Sequence, residues 1–141
     1  MKSYYKIGSL KKIQTKLINT KTTEIKFSVD SLIKNMLEHP DLCFADYNKI
    51  SIILKTADDV ILGTYNHLRF FKIINEKLYE VIVKCTNDYK ENFLLSLHRS
   101  DLSNSKKCKY KPSTPMYNME LINEINCIIA QRNIRNNVVK P

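Results

Sequence analysis

Apolar residues recur at helical spacing in the first third of the chain. Ser9 precedes Leu10, Ile13 and Leu17, with Lys11, Lys12 and Lys16 between them. The pattern predicts a helix over 10–19, capped by Ser9, with its lysines outward. Thr22 to Phe27 is short, β-branched and aromatic, and reads as a strand. Ser28 or Asp30 then opens a helix over about 30–39, with Leu32, Ile33, Met36 and Leu37 as its apolar stripe and Pro40 as its stop. A third short helix follows Asp46, with Tyr47, Ile50, Ile53 and Leu54 inward, although its isoleucines would also suit a strand.

The period changes at Asp58-Asp59. Val60–Thr64, Leu68–Ile74, Leu78–Thr86 and Phe93–Arg99 read as four strands, separated by turn residues at 65–67, 75–77 and 87–91. Connections this short impose antiparallel neighbours. The expected fold is α+β: N-terminal helices packed on a four-stranded antiparallel β-meander, with a C-terminal helix. That last helix follows a lysine-rich linker at 102–113. It starts near Thr114-Pro115 and carries Leu121, Ile122, Ile125, Ile128 and Ile129 at helical spacing. Residues 1–113 then form the main domain and 114–141 an appendage, whose stripe packs on its own domain or on a partner.

Composition narrows the classes. A chain of 141 residues, 43% hydrophobic and 26% charged, suits one globular domain and excludes wholesale disorder. No apolar run approaches the roughly 20 residues needed to cross a bilayer. The basic N-terminus is not followed by the apolar stretch of a signal peptide. Cys43, Cys85, Cys108 and Cys127 form no C-x-x-C pair, and the three histidines have no zinc spacing. The expectation is reduced thiols in a cytoplasmic protein with no metal and no cofactor. Two glycines leave no room for a Gly-rich phosphate loop.

The formal charge of +9 is unevenly placed. Residues 1–23 hold six lysines and no acid, 24–101 are net −2, and 102–119 hold four lysines and no acid. Such flanks serve solubility, or attract a polyanion such as nucleic acid. Lysine outnumbers arginine 19 to 4, which favours loose phosphate attraction over base reading in a duplex.

Candidate chemistry lies on the strands. Alternation along the last one puts Phe93, Leu95 and Leu97 on one side and Leu94, Ser96 and His98 on the other. Ser96 and His98 are then neighbours about 6–7 Å apart along the backbone, able to touch one phosphate. Arg99 follows at the strand end, within swing of that site. Lys72, among apolar neighbours on an inner strand, needs water or a partner at its tip. The plain alternative for Lys72, Ser96 and His98 is a solvated sheet face. His39 ends a helix, where the dipole favours a cation. Lys34 and Glu38 are i, i+4 neighbours that can simply pair. His67 and Arg69 flank the first hairpin as substrate contacts or surface residues.

The order of these features resembles the phage-associated ribonucleases of the barnase–EndoU–colicin–RelE superfamily. The likeness covers about 23–101. It runs through Glu24-Ile25-Lys26-Phe27-Ser28, the helix ending His39-Pro40, and Asp58-Asp59-Val60-Ile61. It continues in Arg69-Phe70-Phe71-Lys72-Ile73-Ile74, Tyr79-Glu80-Val81-Ile82-Val83-Lys84 and Phe93-Leu94-Leu95-Ser96-Leu97-His98. Related sequences often carry a His and an Arg where this chain has Lys34 and Glu38. The resemblance implies metal-independent RNA cleavage and toxin-like roles in conflicts of phage or mobile elements, with an antitoxin or immunity protein as a further partner. On that reading His98 or His39 serves as base or acid. Lys72 and Arg99 hold the phosphate oxygens, Ser96 adds a hydrogen bond, and Lys34, Arg69 and Arg99 bind substrate. Two rivals stand beside it: an RNA-binding protein without catalysis on the same fold, and a phage-encoded inhibitor or adaptor acting through the 115–132 helix.

Overall fold

The structure, a computed structural model, describes residues 3–101 together with Cys127 and Ala130. The linker at 102–113 and the appendage expected at 114–141 therefore lie outside the described residues, apart from those two helical positions. The element order is β1 (Tyr4–Ser9), α1 (Lys12–Leu17), β2 (Glu24–Ser28), α2 (Val29–Glu38), α3 (Phe44–Tyr47), α4 (Ile50–Thr56), β3 (Asp59–Leu62), β4 (His67–Ile74), β5 (Lys77–Cys85) and β6 (Asn92–Asp101).

The sheet corrects the expected architecture. It has six strands in the order β1-β2-β6-β5-β4-β3, not four, and it is mixed. The basic N-terminus is itself the edge strand β1, antiparallel to β2, and β2 runs parallel to β6. β1 alternates, with Tyr5 and Ile7 buried and Tyr4 and Lys6 pointing out. The first helix is also shorter and turned. Its N-cap is Lys11 rather than Ser9, and the Gln14 side chain reaches back to the Lys11 N–H at 2.8 Å. Gln14 is buried, while Ile13 and Leu17 are exposed.

Local chemistry explains the other boundaries. Ser28 caps α2 by accepting the Ser31 N–H at 3.1 Å. Leu32, Asn35 and Met36 are its buried positions, with Leu37 left outside. Asn75 and Glu76, both at positive φ, form the two-residue turn between β4 and β5 that suits the twist of paired strands. The core lies between the sheet and the helices. It combines Ile25 and Phe27 of β2, Leu68, Phe70 and Ile74 of β4, Val81 and Val83 of β5, Leu94 and Leu97 of β6, and Ile50, Ile53 and Leu54 of α4.

One junction decides where α2 lies. β2 pairs with β6 only as far as Lys26 and Phe93, then turns into α2. Beyond that point the β6 backbone faces a helix. Asn35 fills the gap: its Nδ2 donates to the Leu97 carbonyl at 3.2 Å, and its Oδ1 accepts the Leu97 N–H at 3.0 Å. The side-chain amide thus replaces a strand's peptide unit, and Nδ2 also donates to the Tyr47 hydroxyl at 2.9 Å. Asn35→Ala should lower the unfolding free energy by about 2–6 kcal/mol, because each of the two buried Leu97 backbone groups left unpaired costs about 1–3 kcal/mol. Urea unfolding reads this as a lower midpoint at unchanged slope. An unchanged midpoint would show that the clip contributes nothing.

Candidate functional site

The last strand does not alternate as its sequence suggests. Ile82 pairs with Ser96 and Val83 with Leu94, so Leu95 is the extra residue of a β-bulge. Leu94 and Leu97 both turn into the core, whereas Ser96 and His98 share the face away from it. Their side chains meet, with His98 Nε2 and Ser96 Oγ 3.1 Å apart. His39, the C-cap residue of α2, comes to the same place. Its ring centroid lies 4.5 Å from that of His98, with the rings nearly perpendicular at 80°. Three of the residues singled out in the sequence, His39, Ser96 and His98, are therefore one cluster.

The remaining cations divide. Lys72 is on the core face of β4, 2% exposed, where its ammonium donates to the Thr56 carbonyl at 2.7 Å and lies 3.3 Å from Asp58 Oδ1. It ties the end of α4 to the sheet and is not on the histidine face. Arg99 also points to the core side, opposite Tyr79. Its guanidinium donates to Asp46 at 2.7 Å and to the Asp41 carbonyl at 3.2 Å. Asp46 is buried and accepts the Tyr79 hydroxyl at 2.6 Å and the Cys43 N–H at 2.8 Å. Burial alone would raise the Asp46 carboxyl, but hydrogen bonds from Cys43, Tyr79 and Arg99 outweigh it and hold the group below its usual range. Lys34 is largely exposed, with Glu38 3.9 Å away. Phosphate roles for Lys72 and Arg99 in contact with the histidines are thereby corrected: each cation is committed to a carboxylate on the other side of the sheet.

Arg69 is the candidate that does share the histidine face. It donates to Glu80 at 2.6 Å and lies 5.1 Å from the Phe71 ring centre. Glu80 stands directly opposite His98 in the β5–β6 register. Three rows cross this face: Lys6, Lys26, Phe93, Lys84 and His67; then Ser96, Ile82, Arg69 and Ile61; then His98, Glu80, Phe71 and Asp59. Glu80, Lys26, Lys84 and Phe93 were not singled out as site residues. Their signal lay in alternation, since Lys26 and Lys84 each sit one residue from a buried position, but the pairing that aligns them is long-range.

Burial pushes the His98 imidazole below its ordinary value, and the neighbouring His39 adds to this, while Glu80 and Glu38 oppose it. The ring is accordingly neutral at pH 7, with a nitrogen able to take a proton. Among the described residues no helix is long and apolar enough to cross a membrane, and no group of three His, Cys, Asp or Glu side chains is placed to hold a metal ion. No protein-family model matches the chain, nor does any curated protein or solved structure.

The depressed His98 pKa has a definite sign. A histidine held below its unfolded value contributes stability that is complete above about pH 6.5 and is lost as pH falls through the lower folded value. NMR titration should find His98 turning below 6.5, and His39→Ala should move it part of the way back. A midpoint at or above 6.5 in the parent protein would refute the burial argument.

Proposed function

We propose that this protein acts on RNA as a metal-independent endoribonuclease, with His39 and His98 as the proton-handling pair. The observation that carries the reading is the contact of two imidazoles beside Ser96 on a sheet face rich in lysine. The chemistry suits such a pair. His98 takes the proton from a ribose 2′-hydroxyl, and the resulting oxygen attacks the adjacent phosphorus. The bond to the 5′-oxygen breaks as His39 supplies that oxygen with a proton. The products are a 2′,3′-cyclic phosphate and a free 5′-hydroxyl. Ser96 fixes the His98 ring, and Arg69 is the nearest guanidinium on this face for charge on the non-bridging oxygens. A cytoplasmic setting and a toxin-like role, with an antitoxin or immunity protein to restrain it, belong to this proposal.

A second reading is favoured by one specific observation. Lys72 and Arg99, the cations expected to stabilise the phosphorane, are turned away and neutralised internally. A protein that binds RNA on this face without cutting it would have the same core and the same lysine row. Incubation of the full chain with total RNA in EDTA, followed by end-group analysis, separates the two. The nuclease reading expects cyclic-phosphate ends, protection of RNA carrying a deoxy sugar at the cut site, and losses of at least about 100-fold for His98→Ala and for His39→Ala. Salt-sensitive binding without product supports the second reading. Equal cutting of ribose and deoxyribose sites would exclude this chemistry.

A further inference from the structure

A groove of about 590 Å³ opens on the histidine face, away from the histidines themselves. It lies between the start of α2 and the β5–β6 turn, lined by Ser28, Ser31, Lys84, Asn87, Phe93 and Leu95 among others. That volume is in the range of small-molecule sites. The bulge makes one of its walls. Leu95, the residue left over in the β5–β6 register, is 38% exposed, and the displaced strand carries it to the groove rather than into the core. Phe93, from the same strand, is half-buried beside it. Polar residues line it from both ends: Ser28 and Ser31 at the start of α2, and Asn87 in the β5–β6 turn.

Charge singles out the occupant. In the row that crosses the groove, Lys26 is paired with Glu91 at 2.8 Å and Lys6 with Glu24 at 3.6 Å. Lys84 has no acidic partner among the described residues, and it depresses the neighbouring His67, whose lowered pKa comes first from burial and then from that ammonium. An aromatic face, hydrogen-bonding groups at its rim and an uncompensated ammonium next to it match the three parts of one nucleotide: the base to stack, the base edge to be bonded and the phosphate to be neutralised. The chain's +9 charge favours the same kind of partner.

We infer that this groove is a base-binding subsite for single-stranded RNA, with a base against Phe93 and Leu95 and the adjoining phosphate on Lys84. It rests on the reading that the face engages RNA, and adds where the strand is gripped. Phe93 and His98 are five residues apart, about 16 Å along β6. The subsite therefore holds a nucleotide outside the scissile step, and it sets which length of RNA is bound.

The test uses the full chain and a fluorescein-labelled 2′-O-methyl oligouridine, which lacks the attacking hydroxyl and so stays intact. Inorganic polyphosphate serves as a base-free polyanion. Phe93→Ala should weaken oligouridine at least about fivefold, the lower bound for one stacked base. Its affinity for polyphosphate should stay within about twofold of the parent, and Phe93→Tyr should restore the oligomer. Lys84→Ala should weaken both probes and lower the salt slope for the oligomer by about 0.7. Leu95→Glu, at an exposed position, should also weaken the oligomer at least about fivefold, so the test survives if Phe93→Ala fails to fold. Oligouridine binding unchanged in Leu95→Glu overturns the proposal, as does equal loss of both probes in Phe93→Ala. Failure of the parent to cut plain RNA would end the nuclease reading and leave this subsite standing. Efficient cutting with parent-like oligomer binding in Leu95→Glu would do the reverse.

Discussion

A strand inside a sheet must find partners for its N–H and C=O groups on both edges, and β6 lacks a strand on one edge beyond Phe93. Asn35 supplies the missing partner by bonding both backbone groups of Leu97. Much follows from this substitution of a side chain for a strand. It holds α2 beside β6, and α2 ends one turn later at His39. The C-terminal residue of the helix is thereby delivered to the strand position next to Leu97, which is His98. The imidazole contact results from a backbone requirement met one residue away, and the short β2 that creates the vacancy is as much a part of the site as the histidines.

The strands from β3 to β6 were legible because their signals are local. Alternation marks buried and outer positions in β4, and a two-residue turn with left-handed residues joins β4 to β5. The start of α2 was legible as Ser28 or Asp30, and Ser28 is the residue that caps it. What failed was non-local or concealed. β1 alternates Tyr5 and Ile7 with Tyr4 and Lys6, but four lysines within the first twelve residues read as a charged lead-in. The parallel pairing of β2 with β6 joins segments more than sixty residues apart, and no local pattern announces it. In β6, strict alternation counted from Phe93 would hold only without the bulge; Leu94 and Leu97, three apart, are both core residues.

The candidate site was half legible for the same reason. Ser96 and His98 lie two apart on one strand, so the sequence already set them side by side, and the bulge precedes both without disturbing the pair. Lys72 and Arg99 were assigned by chemistry alone. Both alternate onto the core face, a cost that each meets with a carboxylate: Asp58 just past α4 for Lys72, and Asp46 in α3 for Arg99. Lys72 is itself buried although Asp58 is half exposed, and Asp46 is buried beside Arg99, so removing Asp58 or Arg99 leaves a buried charge uncompensated and these cations serve the attachment of helices to sheet. On the outer face the register lines up Lys6, Lys26 and Lys84, which the sequence scatters; Lys6 and Lys26 are paired with Glu24 and Glu91, and Lys84 has no acidic partner among the described residues.

The asymmetry of the two histidines gives the pair a direction. His98 lies within the sheet surface, loses solvent and feels His39 beside it, so a charge on His39 disfavours a second on His98. Two imidazoles in contact therefore share one proton more readily than they carry two. Glu80, opposite His98, works against the depression but is itself held by Arg69 at 2.6 Å. The Arg69–Glu80 pair thus sets how strongly the carboxylate is felt by His98.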